Sequence, residues 1–91
     1  MTNILIIKQG ALGDVLRTTC ILTGIKRKYS NSQVTWFTKK EALDLVKTNS
    51  YIKKIYLYSK ESIENLKKQK FDIVINLDED YEACSLTTYF L

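Results

Sequence analysis

Ile4-Leu5-Ile6-Ile7-Lys8-Gln9-Gly10-Ala11-Leu12-Gly13-Asp14 is the stretch on which the fold turns. Its first four residues are apolar without alternation, the pattern of a strand covered on both faces, and the strand is expected to run from Thr2 to Lys8. Beyond Gly13 the period changes. Val15, Leu16, Cys20, Ile21, Leu22 and Ile25 recur at helical spacing as far as about Tyr29, while Arg17, Lys26, Arg27 and Lys28 form a polar side. The last three also place cations in the final turn, where they suit the helix dipole. A buried strand that passes through a short glycine turn into a helix begins a parallel α/β unit.

The rest of the chain repeats that alternation. Ser30-Asn31-Ser32 is a polar stop, and Gln33 to Thr38, with Val34, Thr35, Trp36 and Phe37, reads as a second strand. The Lys39-Lys40 pair starts a helix expected to reach about Thr48, with Ala42, Leu43 and Val46 on one face. Asn49-Ser50 breaks it. Ile52 to Tyr58 is a less uniformly apolar strand that suits a sheet edge. Ser59 is placed to cap the next helix, in which Ile63 and Leu66 face inward and Lys67, Lys68 and Lys70 face out. Phe71 to Leu77 is the fourth strand and is followed by an acidic loop. From Glu82 onward Ala83, Cys84, Leu86 and Thr87 begin another helix, and Tyr89-Phe90-Leu91 is still apolar, so the fold is expected to be unfinished. With right-handed crossovers, four such strands are expected in the order 3-2-1-4.

The bulk properties restrict the function. The chain has 91 residues, 45% of them hydrophobic and 26% charged, which suits one small soluble domain with a modest core. No apolar run approaches the ~20 residues of a membrane span or the ~7–15 of a signal-peptide core, which points to the cytoplasm. Cys20 and Cys84 lie far apart, and there is no His, so they read as reduced structural thiols and not as metal ligands. The net charge is +4, but the lysine pairs are scattered and no aromatic-rich motif links them, which argues against nucleic-acid binding.

The expected strand order brings strands one and four together where the chain reverses direction in the sheet. Ligands of open α/β sheets bind outside the carboxyl ends of the strands at such a point. Two loops meet there, Lys8 to Asp14 and Asp78 to Glu82. Gly10 and Gly13 allow a tight turn that leaves the first free N–H groups of the helix pointing into the crevice. Such an end favours anions, and Lys8 could add a positive charge to a bound phosphate or carboxylate. The same Gly-x-x-Gly spacing also serves a simple tight turn, since it is neither a full dinucleotide fingerprint nor a phosphate loop. Asp14 likewise has two readings, a helix-start carboxylate or a general base for a substrate hydroxyl. Asp78, Glu79, Asp80 and Glu82 read as solvated loop charges, not as a metal site. Trp36, Tyr51, Tyr56 and Tyr58 read as core and edge packing.

Taken together, Ile4-Leu5-Ile6-Ile7-Lys8-Gln9-Gly10-Ala11-Leu12-Gly13-Asp14-Val15-Leu16-Arg17-Thr18-Thr19, the Val34–Phe37 and Ile52–Tyr56 strands, and Phe71 to Asp78 resemble glycosyltransferase family 9, the heptosyltransferase-like enzymes of lipopolysaccharide assembly. Leu12-Gly13-Asp14-Val15 after a strand ending in Lys8 is the most specific piece. Asn76-Leu77-Asp78-Glu79-Asp80 followed by Ala83-Cys84 resembles the fourth-strand region of a subset of that family. Gly10-Ala11 departs from it, standing where many members carry Ser or Thr.

The resemblance implies an α/β fold with a Rossmann-like parallel sheet and flanking helices. Residues 1–91 would be a partial amino-terminal, acceptor-side domain of a GT-B fold, without the carboxyl-terminal donor-binding domain. It implies inverting transfer of a heptose-like sugar from a nucleotide sugar such as ADP-heptose to a lipopolysaccharide or related glycan acceptor, at the inner face of the membrane, with no metal or other cofactor. Asp14 takes the position of the catalytic base, and Lys8, Gly10 and Gly13 are the substrate-binding candidates. The chain alone is then expected to be inactive. The alternative is a non-catalytic α/β module that binds a nucleotide or phosphorylated ligand through Gly10 to Asp14.

Overall fold

The apolar run at the start of the chain forms β1 (Thr2–Ile7), the strand about which the sheet is organised. The structure is a computed structural model that describes residues 1–9, 20–78 and 80–90. On one side β1 pairs in parallel with β2 (Ser32–Thr38), from Thr2 opposite Ser32 to Ile7 opposite Phe37. On the other it pairs with β4 (Ile73–Asn76), from Ile4 opposite Ile73 to Ile7 opposite Asn76. β3 (Ile52–Leu57) adds to the outside of β2, so the sheet order is β3-β2-β1-β4, as expected.

Because side chains alternate between the two faces of the sheet and both faces are covered, successive β1 residues feed two separate cores. Ile4 and Ile6 join Val34, Trp36 and Leu22 on one face, with Ala42 and Val46. Leu5 and Ile7 join Phe37, Leu66, Ala83 and Leu86 on the other. All four residues from Ile4 to Ile7 are completely buried, each contributing about 1.5–3 kcal/mol. The helices divide accordingly. α1 (Ile21–Lys28) and α2 (Leu43–Val46, entered through a 3₁₀ turn at Lys40–Ala42) supply the first face. α3 (Lys60–Lys67) and α4 (Tyr81–Tyr89) supply the second. A right-handed crossover explains the split: the chain moves outward from β1 to β3, then reverses direction to reach β4, and its connecting helix must change face.

Several local expectations are corrected by the tertiary structure. Cys20 and Ile21 were expected on the inward face of the first helix, but both are exposed; Leu22 is buried and Ile25 half-buried. Both cysteines are exposed thiols at the surface and not packed structural ones. The second helix ends at Val46, not near Thr48. Asn49 accepts the Tyr51 N–H at 3.0 Å through Oδ1, and this turn competes with further helix and starts β3. In β3 the register slips between Val34 and Thr35, which pair with Ile52 and Lys54. The bulge lets the consecutive Lys53 and Lys54 both remain exposed on the sheet edge. Ser59 does cap α3, its Oγ accepting the Ser62 N–H at 3.0 Å.

Candidate functional site at the carboxyl ends of the strands

Past Ile7 the chain remains tied to both neighbouring strands. The Lys8 N–H donates to the Phe37 carbonyl at 3.1 Å, and the Leu77 N–H donates to the Ile7 carbonyl at 2.9 Å. The next rung is made by a side chain. Asp78 Oδ2 accepts the Gln9 N–H at 2.5 Å, while Oδ1 lies 3.1 Å from the Lys8 ammonium. Lys8 Nζ also donates to the Leu77 carbonyl at 3.2 Å, and Asn76 Oδ1 accepts the Asp78 N–H at 2.9 Å. The Lys8 and Asp78 side chains are only 9% and 4% exposed. Charges so deeply placed are tolerable only when paired and hydrogen-bonded, and here each has the other.

This arrangement corrects two sequence expectations. Asp78 is not a solvated loop charge; it clamps β4 to the end of β1. Lys8, expected to add a positive charge for a bound anion, has its ammonium paired within the protein. Asp80 is likewise committed, capping α4 by accepting the Ala83 N–H at 3.2 Å. Gly10, Gly13 and Asp14 lie outside the described residues.

Beside the clamp lies a crevice of about 180 Å³ lined by Gln9, Lys39, Tyr58, Asp80 and Glu82. All four strand ends contribute: Gln9 follows β1, Lys39 follows β2, Tyr58 follows β3, and beyond β4 come Asp80, the cap of α4, and Glu82 in its first turn. Gln9 is the buried member at 6% exposure, and its Nε2 has no hydrogen-bond partner among the described residues. Tyr58, 40% exposed, keeps its ring 6.1 Å from that of Phe37. A larger depression of about 510 Å³, bordered by Lys67, Tyr81, Cys84 and Tyr89, lies away from the strand ends on α3 and α4. Lys67 covers the Tyr89 ring there at 5.0 Å, and among the described residues no unpartnered buried polar group lines it. The crevice is therefore the better candidate, since convergent polar groups rather than volume mark a binding site.

Sequence reading gave Gln9 no role of its own, and took Lys39 as the start of a helix and Tyr58 as edge packing. A signal for the Gln9–Asp78 contact existed, because the β1–β4 register that pairs Ile4 with Ile73 continues to put Gln9 opposite Asp78.

No family model matches the chain, and no curated protein aligns with it significantly. Solved structures do match. The glycosyl transferase family 9 structure from Veillonella parvula DSM 2008 superposes with a TM-score of 0.85 at 22% identity, covering 99% of this chain and 30% of that one. The E. coli heptosyltransferase WaaC with ADP gives a TM-score of 0.84 at 20% identity, covering 96% and 31%. The same enzyme with ADP-2-deoxy-2-fluoro heptose gives 0.84 at 18% identity, covering 96% and 33%. The chain thus has the fold of part of these GT-B glycosyltransferases and spans about a third of their length.

Proposed function

We propose that this chain is the acceptor-side, amino-terminal part of an inverting family 9 glycosyltransferase that moves a heptose-like sugar from a nucleotide sugar to a lipopolysaccharide or related glycan. The observation that carries the reading is the junction of β1 and β4, where the Lys8–Asp78–Gln9 clamp holds the chain as it enters Gly10 to Asp14. It lies at the reversal point of a sheet shared with glycosyltransferases. Fold alone does not assign chemistry, so the role of each residue is argued from what the reaction requires.

The reaction needs a base at the acceptor hydroxyl. Asp14 is our candidate: its carboxylate takes the hydroxyl proton as that oxygen attacks the anomeric carbon, and the bond from that carbon to the nucleotide diphosphate breaks. The electron pair leaves with the diphosphate, and the single displacement inverts the sugar. Gly10 and Gly13 let the backbone approach the acceptor, and Lys8 acts by holding the strand end through Asp78. The donor, ADP-heptose or a close relative, would be bound by a second domain. The reaction would take place at the inner face of the membrane, where an acceptor of this kind is within reach.

The test uses a polypeptide that joins this chain to a donor-binding domain. Asp14→Asn is expected to lower kcat for transfer from ADP-heptose by about 10²–10⁴-fold, with little change in the KM for acceptor. Retained turnover would remove Asp14 from the mechanism. Calorimetry of this chain alone with ADP addresses the alternative of a nucleotide-binding module: our reading expects no binding, and micromolar affinity would favour the module.

A further inference from the structure

We infer that the crevice formed by Gln9, Lys39, Tyr58, Asp80 and Glu82 is a subsite for a neutral, polyhydroxylated sugar ring of the acceptor, recognised by the Gln9 amide and the Glu82 carboxylate. This rests on the glycosyltransferase reading. Three observations lead to it. The volume of about 180 Å³ falls below the ~300–1,000 Å³ of a pocket that encloses a drug-sized ligand, so the space suits one ring and not a nucleotide sugar.

The second observation is Gln9 Nε2, a donor in a residue only 6% exposed, lining the crevice without a hydrogen-bond partner among the described residues. Buried donors are costly to leave unmade, and a ligand oxygen would satisfy this one. The third is the balance of charge, since two carboxylates, Asp80 and Glu82, face one cation, Lys39. That excess repels phosphate and carboxylate ligands. A hydroxyl both donates and accepts, so a polyol ring can accept from the Gln9 N–H and donate to the Glu82 carboxylate, whereas a charged oxygen offers that carboxylate only repulsion. Asp80 already uses one oxygen on the Ala83 N–H, which leaves Glu82 as the principal acceptor. Tyr58, backed by Phe37, adds an apolar ring with a polar tip beside the sugar.

Heteronuclear NMR of this chain tests the assignment, with methyl glucoside, methyl mannoside and methyl galactoside as neutral probes and sodium glucuronate and inorganic phosphate as anionic ones. At least one glycoside should shift the Gln9 side-chain amide resonances in the millimolar range, while glucuronate and phosphate require at least about tenfold more. Gln9→Leu should abolish the accompanying glycoside-induced shifts of the Lys39 and Tyr58 backbone amides. Glu82→Gln, an exposed substitution that leaves the core intact, should weaken glycoside binding by about tenfold. No shift with any glycoside up to about 100 mM would overturn the subsite, as would anions binding as well as glycosides or Glu82→Gln binding like the parent. The two readings fail separately. Glycoside binding with transfer that survives Asp14→Asn would sink the base and keep the subsite; loss of transfer without glycoside binding would do the reverse.

Discussion

β1 and β4 are fastened at both ends by an aspartate, and the two fastenings behave as opposites. At the amino end Asp72 Oδ2 accepts the Asn3 N–H at 2.7 Å, and the Asp72 N–H returns a bond to the Asn3 carbonyl at 2.7 Å, in an exposed setting. At the carboxyl end Asp78 accepts the Gln9 N–H, but its carboxylate is buried and shares Lys8. The same side chain in the same register therefore does two jobs. Water can replace the Asp72 bond if it is lost, whereas nothing replaces a missing partner for a buried charge. The costly fastening stands where the chain enters the candidate site, and the inexpensive one stands at the far end.

Lys8→Met should break this contrast most sharply. It removes the ammonium paired with the buried Asp78 carboxylate, and a loss of about 3–5 kcal/mol is expected, a large part of the ~5–15 kcal/mol available to a small domain. Urea unfolding followed by the fluorescence of Trp36, the single tryptophan and fully buried, reads the effect directly. Asp72→Ala should cost only about 0.5–1.5 kcal/mol in the same measurement. Equal losses from the two substitutions would show that burial does not separate the two ends.

The smallest effect belongs to the exposed pair of Lys47 and Asp44, 2.8 Å apart, which carries the same charges as Lys8 and Asp78 without the burial. The hydrogen bond and charge of Lys47 hold the Asp44 carboxyl below its ordinary value. A depressed carboxyl favours the fold above its unfolded pKa, and that contribution disappears as the pH falls through the folded value. Lys47→Ala should move the NMR titration midpoint of Asp44 upward, toward the ordinary carboxylate value, without a measurable change in the urea transition. Added salt should erase the midpoint difference while leaving the Lys8→Met penalty largely intact. A Lys8 penalty that vanished with salt would mean that the clamp is open to water.

Much of the fold was legible because it depends on local pattern. The unbroken Ile4–Ile7 run implied a strand with two covered faces, and Ser59 announced its helix by the capping chemistry that the structure shows. Other features depend on a partner distant in sequence. The two exposed lysines of β3 make sense only once the bulge against Val34 and Thr35 is seen. Cys20 and Ile21 obey helical spacing, yet the face they occupy depends on how α1 rests on the sheet. The candidate site was legible in position but not in detail. Reversal of the strand order located it, whereas the acidic loop concealed one residue that is a buried clamp and another that is a helix cap.

Residue type and spacing alone were sufficient for the alternation of strand and helix, the central place of β1 and the sheet order, because backbone periodicity, turn chemistry and crossover handedness act over short stretches or follow general rules of chain topology. They also singled out Asp14 as a candidate base. Folding decided which charges would be paired. Lys8 and Asp78 are 69 positions apart, and only the β1–β4 pairing brings them to 3.1 Å in a place that excludes water. The same convergence leaves the Gln9 side-chain Nε2 in a crevice without a partner among the described residues. Burial and electrostatic pairing depend on distance in space, and a linear sequence does not carry that distance.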